Sequence, residues 1–320
     1  MIARIAEDLL RGTPSSERIR QLGAGVSLPS WSVWADCARN VNPDLAYAYQ
    51  IRSPHSICAQ FEDKEGQQAL RDYVQRFDKA CALTTKAKAC HKHAHFADVP
   101  YQAGQYKNTQ LGASEGDIVH AILAAVSVLR GEKVKPPFQL LQQKEALALL
   151  VHLLGDVHQP LHLGAVYLDE AGQVKVPTAP LAHGIFSTFG GNQLRFGAGA
   201  QDDLHSLWDT APRLDFAALQ VRARSLFAAG VSPSEAHMSL EQKSQLWAQE
   251  SILSAQKIYA PLHFSPMEKQ EHGAIWNFVL DPKDAAQRQH IQEQAILHAG
   301  VRLALLLRVI FESAAQVKPS

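Results

Sequence analysis

Apolar side chains recur at three- and four-residue intervals over residues 2–11, 15–24, 63–79, 116–131, 143–157, 213–229, 240–258 and 283–314. That spacing keeps one side of a 3.6-residue helix apolar, so each stretch predicts an α-helix packed on a core. Alternation at period two is rare. The exception is VYLDEAGQVKVP (166–177), where two short alternating runs flank Glu-Ala-Gly and predict a β-hairpin. Stretches rich in Gly, Pro and Ser (12–16, 26–30, 131–137, 176–192) are short and read as connectors between elements. There is no internal repeat or low-complexity tract. The expected fold class is therefore all-α: one compact multi-helix domain over residues 1–320 with a small hairpin.

Composition narrows the functional classes. The 31 basic and 31 acidic residues cancel, which excludes a broad electrostatic platform for a polyanion and leaves phosphate recognition to local groups. No uninterrupted apolar run reaches the ~18 residues of a membrane span, so stable membrane association is not expected. The opening MIARIAEDLL has no basic stretch followed by an apolar one, hence no signal peptide, which taken literally means a cytoplasmic protein. Cys37, Cys58, Cys81 and Cys90 show no CxxC pairing; two disulfides and four buried thiols both fit. Histidine, at 15 residues, stands out and directs attention to metal chemistry.

The segment VHLLGDVHQPLHLG (151–164) puts His152, Asp156, His158 and His162 into a stretch that otherwise reads as buried helix. His152 and Asp156, four residues apart, project from one helix face about a turn apart and can grip a single ion. Pro160 cannot continue the helix, so the chain turns after Val157 and returns His162 toward the same end. A lone His–Asp pair is ordinarily a hydrogen-bonded core pair. Here DDLHSLWDT repeats the device with His205 and Asp209, HKHAHFADVP offers His91, His93 and His95 followed by Asp98, and WSVWADCARN adds Asp36. Alone, Asp36 is an ordinary helix cap or ion-pair partner, and a His-rich loop is ordinarily a solvated one. Together these are carboxylates and imidazoles without thiolates, a donor set that suits catalytic zinc with open positions. Seven ligands exceed what one four-coordinate ion can use, so at least two ions are implied, with Asp156 able to bridge them. Clustered zinc suits metal-assisted phosphoester hydrolysis.

The ordered series WADCAR, HFAD, HLLGDVHQPLH, GGNQL, DLHSLWD and WAQES resembles the zinc-dependent S-one/P-one nucleases, single-strand-specific nucleases and 3'-nucleotidases that share a fold with zinc phospholipase C. The resemblance runs from about residue 2 to about residue 310. It implies Asp36, His95, His152 and Asp156 as ligands of a first zinc, His162, His205 and Asp209 as ligands of a second, and Asp156 reaching a third. It further implies that Asp98 orients the attacking water, that Phe96 stacks on a base, that Asn192 lines the same cleft and that the first and third zincs activate the water while the second stabilises the departing 3'-oxygen. The substrate would be single-stranded RNA or DNA or a nucleotide, the protein a periplasmic or secreted monomer. His158 falls outside the ligand pattern and is expected to orient a ligand by a hydrogen bond.

Three departures qualify the resemblance. Family chains begin with Trp-Gly-x-x-Gly-His, which binds the third zinc; this chain opens at Met1 on what looks like the following helix, so two zinc sites are expected here, and either the start is assigned too far downstream, the favoured reading, and the third site needs residues upstream, or the third site is lost. About 25 residues separate Gly164 from Gly190, an insertion (165–189) that contains the expected hairpin and either shapes access to the cleft or is a surface excursion. Asp203 stands where an asparagine often precedes Leu-His, and would repel phosphate or point to solvent. The alternatives to a nuclease are a phospholipase C with the same ligands and a zinc-binding protein impaired in catalysis.

Overall fold

The structure is a computed structural model and describes residues 1–51, 57–82, 90–139, 141–178, 183–199, 201–210, 213–270 and 273–313. As the periodicity predicts, it is helical. The amino-terminal part supplies α1 (Ile2–Leu10), α2 (Pro14–Leu22), α3 (Leu28–Trp31), α4 (Trp34–Ala38) and α5 (Lys64–Cys81). The central part supplies α6 (Ile118–Leu129), α7 (Gln143–Asp156), α8 (Pro160–Leu163) and α9 (Leu204–Asp209), followed by α10 (Phe216–Ala229), α11 (Leu240–Tyr259) and α12 (Ala285–Ser313). Residue 314, the expected end of the last helix, lies outside the described residues.

The core forms around α7. Residues 145–151, 153 and 154 of this helix are all buried, because α6, α12, α3 and α4 pack on different sides of it. Its start is fixed by Glu145, whose carboxylate accepts from the Gln142 backbone N–H at 2.9 Å. Its end is fixed by Pro160, which opens α8 after a turn through Val157, His158 and Gln159. Helix α12 runs against α1, where a Cβ on Gly300 would stand 2.7 Å from Ile5 Cβ; only glycine permits this approach. Residues Pro282–Glu312 are long and apolar enough by length and composition to cross a membrane, which corrects the expectation from uninterrupted runs. In the structure 61% of the most apolar window is buried inside the fold.

The expected hairpin is present. Tyr167–Leu168 and Val174–Lys175 pair antiparallel with Tyr167 opposite Lys175 and Leu168 opposite Val174. A third strand, Phe186–Ser187, pairs on the other side of Tyr167–Leu168, inside what the composition marked as a connector; residues 179–182 of that connector lie outside the described residues. Two-residue strands carry no readable period, which is why this one was not expected. Elsewhere Val99–Pro100 runs parallel to Gly164–Ala165.

The four cysteines form two disulfides, Cys37–Cys58 and Cys81–Cys90. The second ties the end of α5 to the 3-10 helix Cys90–His95, which carries His95. Closing a nine-residue separation removes unfolded-state entropy worth about 2.5 kcal/mol. The double variant Cys81→Ser/Cys90→Ser is therefore expected to melt roughly 3–5 °C lower in a thermal scan. A shift below about 2 °C would show that the bond contributes little.

Candidate metal centre

Two groups of side chains converge where α4, the Cys90–His95 segment, α7, α8 and α9 meet. Asp36, His95 and His152 each offer one ligand atom, all within 4.8 Å of one another, and His162, His205 and Asp209 do the same. In the first group His95 Nδ1 stands 3.0 Å from His152 Nε2, and His152 Nε2 stands 3.7 Å from Asp36 Oδ1. In the second, His205 Nε2 is 3.4 Å from Asp209 Oδ2 and His162 Nε2 is 4.0 Å from Asp209 Oδ1. Two ligands bound at 2.0–2.1 Å to a tetrahedral ion stand roughly 3.3 Å apart, so both groups have the spacing of a shared cation.

Asp156 lies between the groups. Its Oδ2 is 3.0 Å from His95 Nδ1, 2.9 Å from His152 Nε2 and 3.9 Å from His162 Nδ1. One turn of α7 separates it from His152, and the Pro160 break brings His162 back beside it.

Backbone carbonyls orient three of the imidazoles. His152 Nδ1 donates to Ser32 O at 2.7 Å, His162 Nδ1 to His95 O at 2.8 Å and His205 Nδ1 to Gly190 O at 2.9 Å. With Nδ1–H held by the carbonyl, it is Nε2 that faces the group and offers its lone pair once the ring is neutral, the arrangement that metal-binding histidines require. Gln159 holds Asp209 in turn, Nε2 to Oδ1 at 3.0 Å.

The electrostatics agree with this donor set. Burial disfavours a charged His152, yet the Asp156 and Asp36 carboxylates overcome it and raise the imidazole to about 10. Burial also opposes ionisation of Asp156, but His152, His162 and His95 hold its carboxyl well below the usual range. A pocket that retains a proton so firmly between two carboxylates has the negative potential to accept a divalent cation in its place. Burial lowers His95 and His205, favouring the neutral form that a metal binds.

Not every histidine in the motifs takes part. Of the HKHAH run only His95 joins a group. His91 is buried with Nδ1 3.7 Å from Asp78 Oδ1, and His93 is exposed with its ring 5.7 Å from Phe96. Both ring nitrogens of His158 bond partners outside the two groups, correcting the expectation that it orients a ligand directly. Arg302, which can only donate, bonds His158 Nε2 at 2.8 Å, so Nδ1 carries the proton and donates to Leu154 O at 2.8 Å. Arg302 also bonds Glu235 and Glu250 at 2.6 Å each, and Ser251 Oγ donates to Val157 O at 2.6 Å. This buried network holds the α7–α8 turn, on which the relative placement of Asp156 and His162 depends.

Asp203 does not face solvent. It is buried and caps α9, accepting from Ser206 N and Oγ at 2.8 Å each, with Arg195 3.8 Å away.

Around the groups, Phe96 is half-buried and Asn192 is exposed, its amide donating to the Phe189 carbonyl. Burial pushes the half-buried Asp98 carboxyl up to about 6, against the opposing pull of His162. Sequence reasoning missed Phe189. This aromatic is 57% exposed, has φ +49 and immediately precedes Gly190, whose carbonyl orients His205. A bulky residue held in the left-handed region beside a candidate site is a sign of function. The readable signal was an aromatic set directly before Gly-Gly-Asn.

Residues 1–312 match a protein family described as S1/P1 Nuclease. A search of curated proteins finds no match for the chain.

Proposed function

The chain belongs to the S1/P1 nuclease family, and from that premise we propose that it is a zinc-dependent hydrolase of single-stranded RNA and DNA and of 3'-nucleotides. The carrying observation is the pair of three-ligand groups on either side of Asp156, with three imidazoles locked to backbone carbonyls. Asp36, His95, His152 and Asp156 would hold one zinc and His162, His205 and Asp209 a second, with Asp156 also offering an oxygen to a third ion. Zinc held there makes water more acidic and neutralises charge that develops on phosphate oxygens. The protein's own groups do the rest. Asp98 accepts a hydrogen bond from the attacking water and turns it toward phosphorus. Phe96 and the exposed Phe189 offer ring faces to a base, and Asn192 offers polar atoms to its edge.

In this reading residues 1–320 are a single nuclease domain, with 165–189 an insertion, and the protein acts as a monomer. Two disulfides favour an oxidising compartment, periplasmic or extracellular.

The test compares single-stranded DNA, RNA, a 3'-nucleotide and phosphatidylcholine vesicles as substrates, before and after chelation and with zinc restored. Nucleic acid and nucleotide should be hydrolysed only with zinc. Phe96→Ala should raise KM roughly tenfold, because a stacked base contributes about 1–3 kcal/mol. Turnover of phosphatidylcholine, untouched by this substitution, would instead identify a phospholipase C. Bound zinc without hydrolysis of any substrate would identify a metal-binding protein impaired in catalysis.

A further inference from the structure

The main chain of Asp98 is gripped from two directions. Tyr167, in the central strand of the three-stranded sheet, donates its hydroxyl to the Asp98 carbonyl at 2.7 Å. Gly112 packs against the same carbonyl so closely that a Cβ there would lie 2.1 Å from the oxygen, and its φ of +90 also requires glycine. On both flanks the chain is paired with the segment that leads into Tyr167. Ala97 N donates to His162 O at 2.8 Å, and Val99–Pro100 run beside Gly164–Ala165.

The far side of the same sheet reaches the second ligand group. Thr188 follows the third strand and donates its hydroxyl to Val166 O at 2.9 Å. Two residues on, Gly190 O accepts from His205 Nδ1. Tyr167 and His205 are therefore joined through one strand pair, Tyr167–Leu168 against Phe186–Ser187.

We propose that Tyr167 is a positioning residue for Asp98, and that the sheet built from Tyr167–Leu168, Val174–Lys175 and Phe186–Ser187 fixes this carboxylate relative to the His162–His205–Asp209 group. The inference rests on the role given to Asp98 above and assigns the inserted segment a part in the reaction. The physical reason is that a carboxylate on a connecting segment swings with its own peptide plane. A hydrogen bond to that peptide's carbonyl from a rigid aromatic side chain removes the swing, and small displacements of a reacting group are costly in rate.

The test is Tyr167→Phe, which keeps the ring and removes the hydroxyl. It should lower kcat roughly tenfold with KM and bound zinc unchanged, since geometry and not binding is affected. Hydrogen exchange at residues 97–99 should speed up in the same variant. Lys175→Ala, which breaks an ion pair with Asp169 just past the paired strand, should change neither. Wild-type kcat and exchange in Tyr167→Phe would overturn the proposal, as would faster exchange with kcat intact. An equal loss of kcat in Lys175→Ala would also overturn it, by tracing the effect to sheet stability. Should the wild-type protein hydrolyse no nucleic acid, the functional reading fails by itself, and the exchange measurement still decides whether Tyr167 holds the Asp98 segment.

Discussion

Replacing Asp156 by Asn is expected to reduce bound zinc and to cut hydrolysis by at least about 100-fold, because outer partners of metal ligands alone are worth 10–100-fold. The substitution preserves shape and removes charge. Among the described residues, Asp156 is the one carboxylate that lies within 3.0 Å of both His95 and His152 while also approaching His162. Its carboxyl is ionised across the physiological range, since the surrounding histidines hold it well below its usual value against the opposition of burial. An asparagine oxygen there can still accept a hydrogen bond but carries no charge to offset that of a bound cation. Metal content measured by mass spectrometry, together with kcat on single-stranded DNA, decides the matter. Full zinc occupancy with activity within a factor of about three would remove Asp156 from the ligand set.

The second large effect concerns Asp98. Asp98→Asn should lower kcat by roughly 100-fold or more, the usual contribution of a positioned acid–base group, with zinc content unchanged. A pH profile adds an independent check. Burial lifts the folded carboxyl to about 6, above its usual value, so the ionised form that can orient water is present above that pH and is lost as pH falls through it. Activity should accordingly fall below about pH 6, and Asp98→Asn should abolish that limb along with most of the rate. The stability sign is the reverse: between the usual carboxylate range and about 6 the folded state binds the extra proton, so the cost of burying Asp98 appears as pH rises through that window. An unshifted acid limb in the Asn variant would assign the titration to another group.

Local patterns made part of this protein legible. The spacing of His152 and Asp156, and again of His205 and Asp209, needs only helical periodicity to place each pair on one face, and the structure puts both pairs on helices. Pro160 announced the break that returns His162 to the same region, and α8 begins there. The Glu-Ala-Gly turn between alternating runs announced the hairpin.

Other features were not legible, for reasons that are also physical. His91, His93 and His95 are chemically alike, and only the packing of their 3-10 helix sends one to Asp78, one to solvent and one to His152. The pairing of four cysteines needs coordinates, because Cα separations of 5.5 and 6.3 Å are tertiary facts.

By itself, then, the sequence determined which side chains are available as ligands and which of them share a helical face, since both follow from local geometry. Tertiary structure alone decided which carbonyl fixes each imidazole: Ser32, for instance, reaches His152 across 120 residues of chain. Every residue carries such a carbonyl, so nothing in the sequence can mark the one that matters; only the fold brings it to the ring.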